Sequence, residues 1–357
     1  SIPFLALDVR WGKKLGDVTL ADAMYRDGYL CPLCDQLMGE TAETLAVEYA
    51  ISRDEQDRYA LESNVRAARV APSRPIIAKT SEPTIKKGRD GAIVSRQIVR
   101  MIRMIQDAHP SPQIIGIGIA SIGPLDYRRG GPIHSPNVPY AFIPLVEPLH
   151  RAFKTPVGLF NDANAAALGE YRFGAGKGKR HIVYITISTG IGAGVITGGN
   201  LLTGRSGNAA EVGHMTVDTL YNLPCSCGKG TGHWEAYASG KNMPRFFSVW
   251  RKRNNKTPRA DAPDAESIFR LAASGDRDAR MFLDELAKIN GRAISNVIVA
   301  YDPELIAIGG SVALRNPSVI INGIKKYVNH YLPTPRIAIT KLGEDVTLLG
   351  AAANFFT

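Results

Sequence analysis

At 357 residues the chain is too long for one ordinary hydrophobic core and suits about two domains. Its 45% hydrophobic and 21% charged content describes a globular protein, and no apolar run approaches the roughly 20 residues that cross a bilayer. The net charge of +10 is scattered, with clusters at Arg89 to Arg103, Lys177 to Arg180 and Arg251 to Lys256, which suits solvated faces or an anionic small substrate better than nucleic acid.

The first residues lack the basic flank and apolar run of a signal peptide, so a cytoplasmic protein is expected. "FLALDV" reads as a buried strand carrying Asp8 near its end. Residues 40–70 hold Leu45, Tyr49, Ile51, Tyr59 and Leu61 among dense charges and predict two amphipathic helices. Ser52 caps the second of them, with Glu55 completing S-x-x-E. "RPIIAKTSEPT" predicts a short strand, and Ile93, Ile98, Met101, Ile102 and Ile105 mark a helix over 90–108. "IIGIGIAS" predicts a buried strand, and "PVGLFNDANAAALGEYRFG" a strand followed by a helix opening near Asn161. "HIVYITIS", "GAGVITGGNLL" and "HMTVD" read as strands with glycine turns. Residues 266–300 read as helical, "LIAIGGSVA" as strand, turn and helix, and "VTLLGAAANFF" as a strand and a terminal helix. Strands alternating with helices imply an α/β protein, with ligand sites at the glycine turns.

Three stretches carry chemistry. In "TISTGIGAGVITGG", Thr189, Gly190, Gly192 and Gly194 would let backbone N–H groups approach a phosphate, although a plain hairpin uses the same residues. In "LFNDANAAALGE", Asp162 follows an apolar strand at the mouth of a helix, where a carboxylate either takes a proton from a substrate hydroxyl or caps the helix. In "EVGHMTVD" and "CSCGKGTGHWEAYASG", His214, Cys225, Cys227 and His233 are a donor set that suits tetrahedral zinc in a closed, structural site. Cys31 and Cys34 form a C-x-x-C with no matching pair nearby. Glu211 and Glu235 flank the metal motif, and with His214 and the Asn161 amide they suit a polyol, each of whose hydroxyls needs a donor or an acceptor.

These stretches, with "GIGIASIGPLD", "SPNVPYAF", "AIGGSVA" and "LLGAAA", resemble the ROK family of sugar kinases and repressors in content and order, over about residues 64–357. The resemblance implies a two-domain, actin-like (ribonuclease-H-like) α/β fold. The expected division is a small domain at 1–125, a large sugar- and zinc-binding domain at 126–340, and a segment at 341–357 returning to the small one. It further implies that Asp162 is the catalytic base for a sugar 6-hydroxyl, and that Asn137, Asn161, Glu211, His214 and Glu235 hold the sugar. His214 would serve sugar and zinc through its two ring nitrogens. Asp8, Thr189, Gly190, Gly192, Gly309 and Gly310 would face ATP, with Mg²⁺ neutralising the transferred charge. His233 stands where many members have a cysteine. A homodimer is the implied assembly.

The front departs from the family, whose first strand runs into D-x-G-[GA]-T. Residues of about 10–69 instead resemble an internal segment of thiolases, so "FLALDV" is expected to be a kinase strand whose phosphate loop is displaced by an insertion at 10–63. The segment contains no histidine and brings no thiolase chemistry. The expected activity is ATP-dependent phosphorylation of a glucose-type hexose. The alternatives are an N-acetylhexosamine kinase, a zinc-containing sugar-binding protein with little phosphoryl transfer, and a repressor of the same family. The repressor reading needs a helix-turn-helix ahead of the first strand, whereas nothing precedes Ser1 and the inserted helices are acidic, so no nucleic-acid partner is expected.

Overall fold

A computed structural model describes residues 4–6, 20–22, 30–31, 36–59, 76–88, 90–110, 113–134 and 138–355. The chain divides into two compact units, Ser1–Ala71 and Pro72–Thr357. No helix among the described residues is long and apolar enough to cross a membrane.

In the first unit Phe4–Ala6 (β1) pairs antiparallel with Leu20–Asp22 (β2), and Leu30–Cys31 (β3) with Gln36–Leu37 (β4). Met38–Glu48 (α1) and helical residues 53–59 (α2) follow. The expected cap forms: Ser52 N–H donates to Glu55 Oε2 at 3.0 Å, and Glu55 N–H to Ser52 Oγ at 3.3 Å. The pairing of β1 with β2 corrects the expectation that "FLALDV" serves the kinase sheet.

In the second unit the described residues start at 76; a strand was expected over 74–84, and coil is found through residue 88. Side chains hold the end of this segment. Ile85 N–H donates to Gln97 Oε1 at 3.1 Å, and Tyr140 Oη donates to the carbonyls of Ile85 and Lys87 at 2.9 and 3.1 Å. Ala92–Ala108 (α3) carries Gln97. Ile117–Ser121 (β5) leads into the hairpin Leu125–Asp126 (β6) and Gly131–Pro132 (β7). Val146–Phe153 (α4) then returns the chain to Val157–Asn161 (β8), parallel to β5, with Ser121 opposite Asn161. The helix Asp162–Phe173 (α5) starts at once.

A five-stranded sheet follows, built from Ile182–Ile187 (β9), Ile191–Thr197 (β10), Asn200–Leu201 (β11), Leu305–Gly309 (β12) and Arg336–Ile339 (β13), in the order β11-β10-β9-β12-β13. β9, β12 and β13 run parallel, whereas β9 and β10 form a hairpin. Between β11 and β12 lie Glu235–Ala238 (α6), Met243–Arg253 (α7), Ala265–Ala273 (α8) and Arg277–Tyr301 (α9). They bury Trp234, Tyr237, Phe246, Phe282 and Ile294 in one core with the β9, β10 and β12 side chains. Residues 266–300 split at Gly275, with φ of +100°, and Asp276 caps α9 by accepting from Ala279 N–H at 2.8 Å.

Ser311–Arg315 (α10) and Pro317–Tyr327 (α11) precede β13, and Val346–Ala353 (α12) closes the described chain. "VTLLG" was expected as a strand and is helical. Its Gly350 lets α12 cross α5 at backbone distance, since a Cβ there would lie 1.6 Å from the Ala165 carbonyl oxygen. "HMTVD" is also no strand: it begins on the last residue of a 3₁₀ turn, Val212–His214, and makes one bridge, from Thr216 to His233.

Candidate active site

Residue type fixes the mouth of α5. Asn161 ends β8 in extended conformation, and its Oδ1 accepts from the N–H groups of Ala163 (3.0 Å) and Asn164 (3.3 Å). The cap therefore falls to Asn161 and leaves its Nδ2 free to donate outward. Asp162 occupies the first helical position, half-buried, and its Oδ1 accepts from Ala163 N–H at 2.8 Å. Burial pushes the Asp162 carboxyl above its ordinary range, against the pull of that N–H.

Glu211 stands just before the 3₁₀ turn that presents His214. Burial raises its pKa first; the charges of Asp162 and Glu235 raise it further, and His214 opposes them. Glu211 thus lies within electrostatic reach of two carboxylates and an imidazole, brought from α5, α6 and its own 3₁₀ turn. Glu235 is held on both sides: Oε2 accepts from Ile191 N–H and Oε1 from Ser226 Oγ, each at 3.0 Å.

The metal motif closes on itself. The donor atoms of His214, Cys225, Cys227 and His233 all lie within 4.8 Å of one another. His214 Nδ1 is 3.7 Å from Cys225 Sγ, and His233 Nδ1 is 3.6 Å from Cys227 Sγ. Zinc bonds of about 2.3 Å to sulfur and about 2.0–2.1 Å to nitrogen, at the tetrahedral angle, separate those donors by about 3.6 Å. The residues fit the ion. Backbone bonds brace the loop: Val217 N–H donates to the Gly232 carbonyl at 2.8 Å and Cys225 N–H to that of Gly230 at 2.9 Å. Tyr237 Oη accepts from Leu223 N–H and donates to Asp218 Oδ2, both at 2.9 Å.

The turn Ser188–Gly190 and the turn Gly309–Gly310 meet at the C-terminal ends of parallel β9 and β12, where open α/β sheets bind ligands. Ser188 Oγ and Ser311 Oγ are 3.0 Å apart. Gly310 has φ of +85°, and a Cβ there would lie 2.5 Å from the Ile187 carbonyl oxygen, so only glycine fits. Gly192 does not share this place. It lies within β10 opposite Thr186, where a Cβ would sit 3.4 Å from Ala163, an ordinary contact; the close approach of β10 to α5 is at Gly194, whose Cβ would lie 2.4 Å from the Ala163 carbonyl oxygen. Asp8 and Asn137 lie outside the described residues. Ser226 and Ser311 were not singled out in the sequence, because a lone serine carries no spacing signal; the hydroxyl inside C-x-C was the only hint.

The ROK family sequence profile matches residues 82–356. A glucokinase of Pyrobaculum calidifontis is 37% identical over 272 residues, 74% of this chain and 87% of that protein. The crystal structure of a ROK hexokinase from Thermus thermophilus superposes with a TM-score of 0.65 at 32% identity, covering 77% of this chain and 89% of that one. A ROK family glucokinase from Streptomyces griseus, in complex with glucose and AMPPNP, gives 0.59 at 32% identity, covering 72% and 87%. The thiolase N-terminal domain profile matches residues 3–94, which takes in "FLALDV" as well as the expected 10–69. The strand and Asp8 therefore fall within the thiolase-like segment, in agreement with the pairing of β1 inside the first unit. The fold from residue 82 onward is that of the actin-like sugar kinases, and the chain belongs to the ROK family.

Proposed function

We propose that this protein transfers the γ-phosphoryl group of ATP to the 6-hydroxyl of a glucose-type hexose. The observation that carries the reading is the convergence of Asp162, Glu211, His214 and Glu235, with burial holding the Asp162 carboxyl above its ordinary range. A carboxylate of raised basicity is suited to take a proton from an alcohol. Asp162 accepts the 6-hydroxyl proton as that oxygen attacks the γ-phosphorus; the bond from phosphorus to the bridging oxygen breaks and ADP leaves. Asn161 Nδ2, Glu211 and Glu235 orient the ring hydroxyls, and Asn137 belongs to the same set.

The turns Ser188–Gly190 and Gly309–Gly310 face the nucleotide, Thr189 and Gly190 toward its phosphates. Mg²⁺ carried with ATP supplies charge neutralisation in the transition state. His214, Cys225, Cys227 and His233 would hold a structural zinc, which would brace the loop between Glu211 and Glu235; with His214 Nδ1 beside Cys225 Sγ, its Nε2 would remain for the sugar. In this reading 126–340 is the sugar- and zinc-binding domain and 341–357 returns to the small one. The packing of α12 against β5 supports that return. The family resemblance supports a homodimer. The named glucokinases among the relatives support glucose as the sugar.

A panel of hexoses and N-acetylhexosamines with ATP and Mg²⁺, read by coupled ADP release, tests the proposal. Turnover highest with glucose is expected; turnover confined to N-acetylhexosamines overturns the choice of sugar.

A further inference from the structure

Ser226 lies between the two cysteine donors of the metal loop, yet its hydroxyl turns to the sugar side. Ser226 Oγ donates to Glu235 Oε1 at 3.0 Å, while Glu235 Oε2 takes Ile191 N–H at 3.0 Å. A serine hydroxyl can donate or accept, but an ionised carboxylate only accepts, so the one proton of Ser226 goes to Glu235. Behind it, the two Asn242 Nδ2 protons serve the Glu235 carbonyl at 3.1 Å and Ser239 Oγ at 3.0 Å, with Ser226 Oγ at 3.4 Å from the same nitrogen. Gly190 completes the clamp, since a Cβ there would come within 2.8 Å of Glu235 Oε2.

The carboxylate is thus gripped between the metal loop and the β9–β10 turn, with a second lone pair on each oxygen still open to a ligand. Charge-assisted hydrogen bonds to an ionised acceptor are short and directional, so this pair sets where those lone pairs point. The Ile191 bond alone leaves rotation about the last side-chain torsion, which is broad for Glu. Ser226 removes it.

We propose that Ser226 is a positioning residue for the hexose: it orients the Glu235 carboxylate toward the ring hydroxyls and ties that orientation to the order of the metal loop. The inference rests on the hexokinase reading above and assigns to it a residue outside the sugar contacts and the metal ligands. An exposed serine in a surface turn would otherwise be replaceable without effect on binding.

The test compares the full-length parent with Ser226→Ala and Ser226→Thr. Glucose affinity is read by calorimetry, KM and kcat by ADP release, and zinc by elemental analysis. Ser226→Ala is expected to weaken glucose binding and raise its KM by about 3- to 10-fold, the effect of one orienting hydrogen bond. The KM for ATP, kcat and the zinc content stay at parental values, and Ser226→Thr, which keeps the donor, restores the affinity. Unchanged glucose affinity in Ser226→Ala overturns the inference and leaves the kinase reading standing. Loss of zinc in Ser226→Ala also overturns it, because the serine then acts on the metal loop alone. A parent that binds no hexose removes the kinase reading, and the inference with it.

Discussion

His214 Nδ1 and Cys225 Sγ lie 3.7 Å apart, the spacing of two donors that share one tetrahedral ion. Cys227 Sγ and His233 Nδ1 repeat it at 3.6 Å, and Ser226 and Glu235 connect this loop to the turn that begins β10. The candidate metal ligands and the carboxylate proposed to hold the sugar therefore share one short stretch of chain.

Cys225→Ser leaves three donors and a weaker oxygen. The purified parent is expected to carry about one zinc per chain and the variant little or none, because a structural ion contributes directly to folding free energy. The variant melts lower and binds glucose more weakly, as His214 loses the partner that fixes its ring. Elemental analysis and thermal unfolding check the outcome, and chelator treatment of the parent should reproduce it.

Asp162→Asn keeps the shape of the α5 mouth and removes the proposed base. A fall in kcat of about 10²–10⁴-fold is expected, the ordinary span for a positioned general base. Glucose affinity, measured by calorimetry, changes little, because the amide still fills the site.

The same residue sets a pH dependence. Burial raises the Asp162 carboxyl above the usual aspartate value of about 3.9, so the folded chain takes up that proton more readily than the unfolded one. The base works ionised, so kcat falls on acidification with a midpoint above that value. The stability term has the opposite sense. It is present below the ordinary value and lost as pH rises through the raised one, so Asp162→Asn melts no lower than the parent at neutral pH. Melting curves of both proteins across pH test the sign.

Gly350→Ala tests the crossing of α12 and α5. The new methyl would lie 1.6 Å from the Ala165 carbonyl oxygen, which is backbone and cannot swing aside. Overpacking of this kind costs about 1–3 kcal/mol. The variant should unfold at lower denaturant with an unchanged slope, whereas an unchanged midpoint would show that the helices shift apart freely.

Much of this was legible in the sequence because the signals were local. Asn161 at a strand end before Asp-Ala-Asn is a cap and a helix start in one reading, and α5 begins there. Two histidines and two cysteines within 20 residues define a metal set by chemistry alone, and their donor atoms do converge. The misses were tertiary. "VTLLG" has strand-forming residues, but it is helical in α12, where Gly350 admits the α5 backbone at close range. Residues 76–84 are coil, and where this segment ends its backbone is held by side chains, Gln97 on Pro83 and Ile85 and Tyr140 on Ile85. "FLALDV" has the pattern of any buried strand, and pattern cannot say which sheet receives it; its pairing with Leu20–Asp22 does. Ser226 carries no motif, and only its distance from Glu235 exposes it.

Identification of the product tests the central claim most directly. The purified chain, incubated with glucose, ATP and Mg²⁺, should yield glucose 6-phosphate and ADP in equal amounts by phosphorus NMR, and 6-deoxyglucose should yield neither. Glucose bound in calorimetry with no phosphorylated sugar formed would contradict the account and leave a sugar-binding protein in place of a kinase.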